Sequence, residues 1–261
     1  MRFLLVTAII AALILSSCNQ TGFSPSESTI PPTYLFGPEL IDNLKAGIDF
    51  TGTFNGTSDF YQTNVNLAAD DFFSITVWLQ PNSTNQVRHI FWQGVSTGNG
   101  FGNSIGSPDQ EMSLSIGNVC EIAQPGPCPP SQTANVTPDV ISFHMGDTQA
   151  GEDPGVINIS VPFTEVSRPT MVTIVVEGLS SSPQATMYVN GQLVGTDTGS
   201  TTRTARNNWN TNLRLAGPGA SNRFLDGQLF QILTHLRILS EKDVKSLCWY
   251  KKSEFNTACV K

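Results

Sequence analysis

Charged side chains are scarce in this chain. They make up 13% of its 261 residues, about half the share of an ordinary soluble domain. Those present sum to a formal net charge of −7, from 14 basic and 21 acidic residues, and no local basic cluster offsets the excess. Such a surface repels phosphate backbones and anionic headgroups, which excludes nucleic acid as a partner. Histidines number only 3. His89, His144 and His235 lie far apart in strand-like text, each expected to be a half-buried strand residue, and no serine beside them has a nucleophile-elbow setting. A Gly-rich phosphate loop opening a helix is missing too, because the chain has almost no helix to offer.

What is present begins with an export signal. Arg2 is followed by a mostly apolar run from Phe3 to Leu15 and then by small residues; the run is shorter than the roughly 20 residues that span a bilayer. Residues 1–17 therefore read as a signal peptide that the mature protein has lost. The stretch Leu15-Ser16-Ser17-Cys18 resembles the bacterial lipobox. That resemblance implies that Cys18 becomes the first mature residue and is acylated, tethering the protein to a lipid bilayer. Asn19, in place of Asp, points to the outer membrane of a bacterial cell envelope.

The cysteines number 5. Cys18 aside, Cys120, Cys128, Cys248 and Cys259 form an even set with three connectivities. Their separations favour Cys120 with Cys128, stapling a Pro- and Gly-rich loop, and Cys248 with Cys259, clamping a C-terminal tail of residues 251–261. Zinc is disfavoured because no histidine flanks either pair.

Residues 18–37, rich in Pro, Ser and Thr, read as a flexible tether. Beyond them, short β-branched and aromatic runs alternate with turn signals: FFSITVWLQP, RHIFWQG, EMSLSIG, VISFHMG, VINISVPF, TMVTIVVEG, ATMYVNGQLVG, NLRLAG and QLFQILTHLRIL. The pattern predicts an all-β sandwich of two antiparallel sheets over residues 38–250. Asn190-Gly191 marks a type I′ hairpin that places Met187 and Val189 on one face. Ser240, with Asp243 three residues on, caps one short helix whose buried stripe holds Val244 and Leu247.

In order and spacing, FFSITVWLQP, HIFWQG, RPTMVTIVVEG, ATMYVNGQLVG, NLRLAG and the closing FLDGQLFQILTHLRILSEKDVKSL resemble the laminin-G-like, concanavalin A-like lectin/glucanase family from about Ala46 to Leu247. The resemblance implies a jelly-roll sandwich that binds glycans or proteins on a concave face or rim loops, often with a structural calcium near the rim. Phe230 and Gln231 stand where that family commonly has an Asp-Glu pair, so calcium is not expected there. Asp59, Asp197 and Asp226 are the scattered carboxylates left, better suited to stabilising turns. The family's hydrolases carry Glu-x-Asp-x-Glu or Glu-x-Asp-x-x-Glu on one strand, and this chain has no such string. Asp109 with Glu111 and Glu152 with Asp153 come nearest, in loop-like text. No cofactor is expected and no catalytic residue is assigned.

A sugar site on a sandwich needs an exposed ring with amides and guanidinium groups beside it. The stretch STTRTARNNWNTN supplies Arg206, Asn207, Asn208, Trp209 and Asn210 as candidate ligand residues, Trp209 foremost. The insert from Thr97 to Asp139 is a second candidate surface. Trp78 and Trp92 are expected in the core, and Trp249 against the Cys248 disulfide. The expected function is that of a lipid-anchored, non-enzymatic carbohydrate-binding module. A structural or adhesive subunit docking an envelope protein is the alternative, and a glycoside hydrolase the remote one. Mass spectrometry of the mature protein is expected to find an N-terminal peptide that begins at an acylated Cys18; an unmodified N-terminus elsewhere would make the protein secreted rather than tethered.

Overall fold

Two segments, Phe73–Pro81 and Thr170–Glu177, are buried along almost their whole length, the pattern of strands covered on both faces rather than one. They lie side by side at the centre of the larger sheet. The computed structural model describes residues 44–48, 52–95, 110–118, 137–146, 157–199, 212–217, 223–235 and 237–260, all within a unit spanning Tyr34–Lys261. Cys18, Cys120, Cys128 and residues 206–210 lie outside the described residues.

In chain order the elements are β1 (Leu44–Ile48), β2 (Gly52–Asn55), β3 (Tyr61–Gln62), β4 (Phe73–Pro81), β5 (Arg88–Val95), β6 (Gln110–Asn118), β7 (Thr137–Gly146), β8 (Ile157–Pro162), β9 (Thr170–Glu177), β10 (Gln184–Val189), β11 (Gln192–Thr198), β12 (Arg214–Leu215), β13 (Asp226–His235) and α1 (Glu241–Phe255). One sheet runs β1-β13-β4-β9-β10-β11, with β2 also paired to β13, and the other runs β3-β12-β5-β6-β7-β8. The described pairings are antiparallel, as between β13 and β4 or β6 and β7. This is a jelly-roll sandwich of the concanavalin A-like type with one helix added.

Alternation builds the core between the sheets. Ile75, Val77 and Leu79 of β4, Val172, Ile174 and Val176 of β9, and Met187 of β10 meet Phe91, Leu114, Ile116, Phe143 and Ile159 of the facing sheet. Phe91 and Phe143 pack with their rings tilted, centroids 6.4 Å apart. A bulge in β13 between Leu229 and Gln231 keeps both Leu229 and Ile232 in this core and leaves Phe230 on the other face.

That other face of the larger sheet is buried as well, with hydroxyls such as the Thr76–Thr173 pair set among apolar side chains. Trp78, Met171, Val175, Tyr188 and Leu233 form a second buried cluster with Val244, Leu247 and Cys248 of α1. Trp78 is therefore fully buried, but beneath the helix rather than between the sheets, where its ring meets Phe255 at 5.4 Å. Ser240 caps α1 with the reciprocal Asp243 capping box. The helix is longer than expected: its 15 residues run to Phe255 and end at left-handed Asn256, so the tail starts at residue 256 and not 251.

The tail is pinned twice. A disulfide joins Cys248 to Cys259 with Cα atoms 5.7 Å apart. Val260 N donates to Asn190 O at 3.1 Å, and Trp249 Nε1 donates to Val260 O at 3.0 Å. The hairpin turn itself has φ of 52° at Asn190 and 85° at Gly191, the left-handed pair a type I′ turn requires. A Cβ on Gly191 would sit 3.4 Å from Lys245 Cα and 3.5 Å from Cys248 Cβ, so the turn and the helix fit closely. Among the described residues no helix is long and apolar enough to cross a membrane.

Loss of the disulfide should act through this tail. Closing a loop of 11 residues' separation stabilises by about 3 kcal/mol on the chain-entropy model. A Cys259→Ser variant is expected to lower the free energy of urea unfolding by about that amount without changing the far-ultraviolet spectrum of the β core. No change in the midpoint would show that the tail does not hold the helix down.

Candidate functional site

The smaller sheet differs from the larger on its outer face. In β6, Met112, Leu114 and Ile116 point into the core, so Ser113 and Ser115 face outwards. Register then lines up one residue from every strand of this sheet. Gln62 pairs with Arg214, Arg214 with Trp92, Trp92 with Ser113, Ser113 with His144 and His144 with Asn158. A second outward row runs His89, Ser115, Ser142 and Ser160, with Ser142 Oγ and Ser160 Oγ 3.0 Å apart. Where the larger sheet sets Trp78, Met171 and Leu233 beneath its helix among buried polar residues, this one carries a continuous row of hydroxyl, imidazole, amide and guanidinium groups with one tryptophan.

Trp92 is buried, as expected, though not between the sheets. It is 3% exposed but belongs to the outward row, outside the inter-sheet core. Its ring lies under Arg214, whose Cζ is 5.4 Å from the Trp92 centroid and 5.9 Å from that of Phe60. Phe60 is 50% and Tyr61 43% exposed, which is unusual for aromatic side chains next to one another. Phe224 adds a third ring, 6.4 Å from Phe60. A Cβ at Gly217 would come within 2.7 Å of Phe224 Cδ1 and 3.0 Å of Phe60 Cβ, so only glycine there lets these rings close over the backbone.

Gln62 fixes the guanidinium. Its Nε2 donates to Asn212 O at 3.1 Å, and its Oε1 accepts from Arg214 Nε at 2.7 Å. The β3/β12 edge thus carries an exposed aromatic platform beside a held guanidinium and an amide. None of Phe60, Tyr61, Gln62 or Arg214 was singled out from the sequence. The one local signal was two adjacent aromatics in the polar text SDFYQT.

The rim cleft of about 250 Å³ lined by Ser83, Asn85, Gln86, Arg88 and Asp226 is a weaker candidate, because its charges are already used. Arg88 Nη1 donates to Gly56 O at 2.6 Å and Phe224 O at 3.1 Å, Nη2 donates to Gln86, and Asp226 accepts from Asn82 Nδ2 at 2.7 Å. Among the described residues no three His, Cys, Asp or Glu side chains gather to hold a metal. Asp59 accepts from Asn55 N, and Asp197 from Asn158 N and Thr198 N. Phe230 packs on Phe255 at 5.9 Å and Gln231 is buried. The candidate loop Arg206, Asn207, Asn208, Trp209 and Asn210 lies outside the described residues, as do Asp109, Glu152, Asp153 and the side chain of Glu111.

No protein-family model matches the chain, and no curated protein is similar to it. Among solved structures it is similar to the NanB sialidase of Streptococcus pneumoniae, at 16% identity and a TM-score of 0.50 over 75% of this chain and 27% of that one. It is likewise similar to a leech intramolecular trans-sialidase, at 15% identity and a TM-score of 0.50 over 77% and 27%. A Ruminococcus gnavus sialidase CBM40 bound to α2,3-sialyllactose gives 13% identity and a TM-score of 0.47 over 75% and 96%. The likeness is one of fold. This chain spans about a quarter of the length of each of the two whole sialidases.

The histidines are buried more deeply than expected. His89 and His235 are almost wholly inaccessible. Burial, aided by Arg223 and then His144, lowers His89 to about 3; burial lowers His144 to about 4. Burial and then Arg237, against Asp243, lower His235 to about 4. All three are neutral at pH 7. Because the folded values lie below the unfolded value near 6.5, their contribution to stability is complete above pH 6.5 and is lost as pH falls towards 4. At pH 5 each such histidine is expected to cost about 2 kcal/mol. The urea midpoint should therefore drop between pH 7 and pH 5, and drop less in a His235→Leu variant; equal slopes would mean that His235 is protonated in the folded state.

Proposed function

We propose that this chain is a non-enzymatic carbohydrate-binding module, held at the bacterial cell envelope by acylated Cys18, which takes its glycan on the β3/β12 edge of the smaller sheet. The observation that carries the reading is the exposed Phe60 ring beside Arg214, whose guanidinium is already locked to Gln62. Sugar rings stack their C–H faces on exposed aromatic rings, and their hydroxyls take hydrogen bonds from amides and guanidinium groups. A site whose donors are fixed before the ligand arrives binds with less entropy to lose.

The fold shared with parts of two sialidases makes a saccharide the ligand class to test first. Trp209 precedes Arg214 by only five positions in the sequence, so the loop residues Arg206 to Asn210 remain candidate contributors to the same site. Binding without chemistry is the reading we favour, since hydrolysis requires a carboxylate pair and none adjoins the platform among the described residues.

On a broad glycan array the full-length chain is expected to bind a defined subset of saccharides. Phe60→Ala is expected to weaken that binding about tenfold, the worth of one stacked ring, with little change in thermal midpoint since Phe60 is half exposed. An array with no hits, together with a stable protein partner recovered on the same edge, would replace this reading with the adhesive one.

A further inference from the structure

Taking the platform as the glycan site, we infer that Arg214 makes it selective for saccharides that carry an oxyanion, a carboxylate or a sulfate. The inference rests on that site assignment and goes beyond it in naming the ligand chemistry.

The other arginines set the standard for comparison. Arg88 is saturated by carbonyl oxygens and Gln86. Arg168 pairs with Glu165 at 3.1 Å, and Arg237 with Asp243 at 2.9 Å. Arg214 has one hydrogen bond, from Nε to Gln62 Oε1, and no carboxylate partner among the described residues. Nη1 and Nη2, the pair of N–H groups at the far end of the guanidinium, make no hydrogen bond among the described residues. This is notable in a chain with seven more acidic than basic residues, 21 against 14, where a cation would readily find a partner.

The guanidinium is also kept from wandering. Phe60 and Trp92 hold it between their rings, and Gln62, itself tied to the backbone at Asn212, anchors Nε. Two parallel N–H donors on a rigid plane match the two oxygens of a carboxylate or sulfate, which is the pairing arginine makes better than lysine. Phe60 at 50% exposure leaves an open ring next to those donors, so a sugar stacked on it would bring a substituent on its ring within their reach. A neutral sugar would meet the same donors with hydroxyls, at roughly half the strength.

The test is isothermal titration of the full-length chain with two matched probe pairs: oligogalacturonides against their carboxyl-reduced counterparts, and sulfated chondroitin oligosaccharides against desulfated ones. The expected result is at least one acidic probe bound about tenfold more tightly than its neutral partner, with that advantage shrinking as sodium chloride rises. The probe pair that shows the preference distinguishes carboxylate from sulfate. Arg214→Gln should weaken both partners of a pair but the acidic one far more, so that the preference disappears, and Arg214→Lys should restore part of it, charge without the planar fork. Circular dichroism and thermal melts of both variants establish that they are folded. Equal binding of acidic and neutral partners, or an undiminished preference in Arg214→Gln, overturns the inference while leaving the carbohydrate-binding reading intact. Failure of every saccharide, acidic or neutral, on both the array and in titration overturns both.

Discussion

The constraint on which the structure depends is that the larger sheet is buried on both faces. β4 and β9 have no wet side: Ile75, Val77 and Leu79 enter the inter-sheet core, while Trp78, Met171 and Val175 on the opposite face need a cover of their own. At about 25 cal/mol per Å² of apolar surface, leaving that second face in water would forfeit several kcal/mol. Helix α1 supplies the cover. Its modest internal amphipathicity is offset by devices at both ends: the Ser240–Asp243 capping box starts it, and the Cys248–Cys259 disulfide folds the tail back beneath the Asn190-Gly191 turn.

Once one outer face is sealed by a helix, the other is free to be polar. The smaller sheet spends its outward positions on Ser113, Ser115, Ser142, His144 and Asn158, with an arginine and a tryptophan near one edge. Buried imidazoles on that face stay neutral, so the fixed positive charge described there belongs to Arg214, which cannot lose it. The same burial makes the histidines a source of acid sensitivity for the fold.

Much of the sandwich was readable along the chain. β4 to β11 fall on runs of β-branched and aromatic residues broken by turn signals, and Asn190-Gly191 and Ser240 announced their turn and cap because those motifs act within four residues. β1, β2 and β3 gave no such signal: GTFN and YQ are too short for a period to show, and their pairing to β13 and β12 joins segments far apart in the chain. The burial of Trp92 was readable but its face was not, since an isolated aromatic in a strand does not say which face it takes, and the bulge between His89 and Phe91 breaks simple counting at that point. The helix was underestimated because its last turns, YKKSEF, carry no apolar stripe; Phe255 counts only once Trp78 and Phe230 are seen beneath it.

By itself the sequence determined those properties that depend on near neighbours in the chain: an all-β class, the hairpin and the capped helix. Local rules are enough for these, since turn dihedrals, alternation and capping bonds span a few residues. Only the tertiary structure decided which sheet face lies beneath the helix, and that Phe60, Gln62, Trp92 and Arg214 share one platform. Those residues are brought together by register across β3, β12 and β5, from segments as much as 150 residues apart, and cross-strand register is a property of the whole sandwich that no window of the sequence contains.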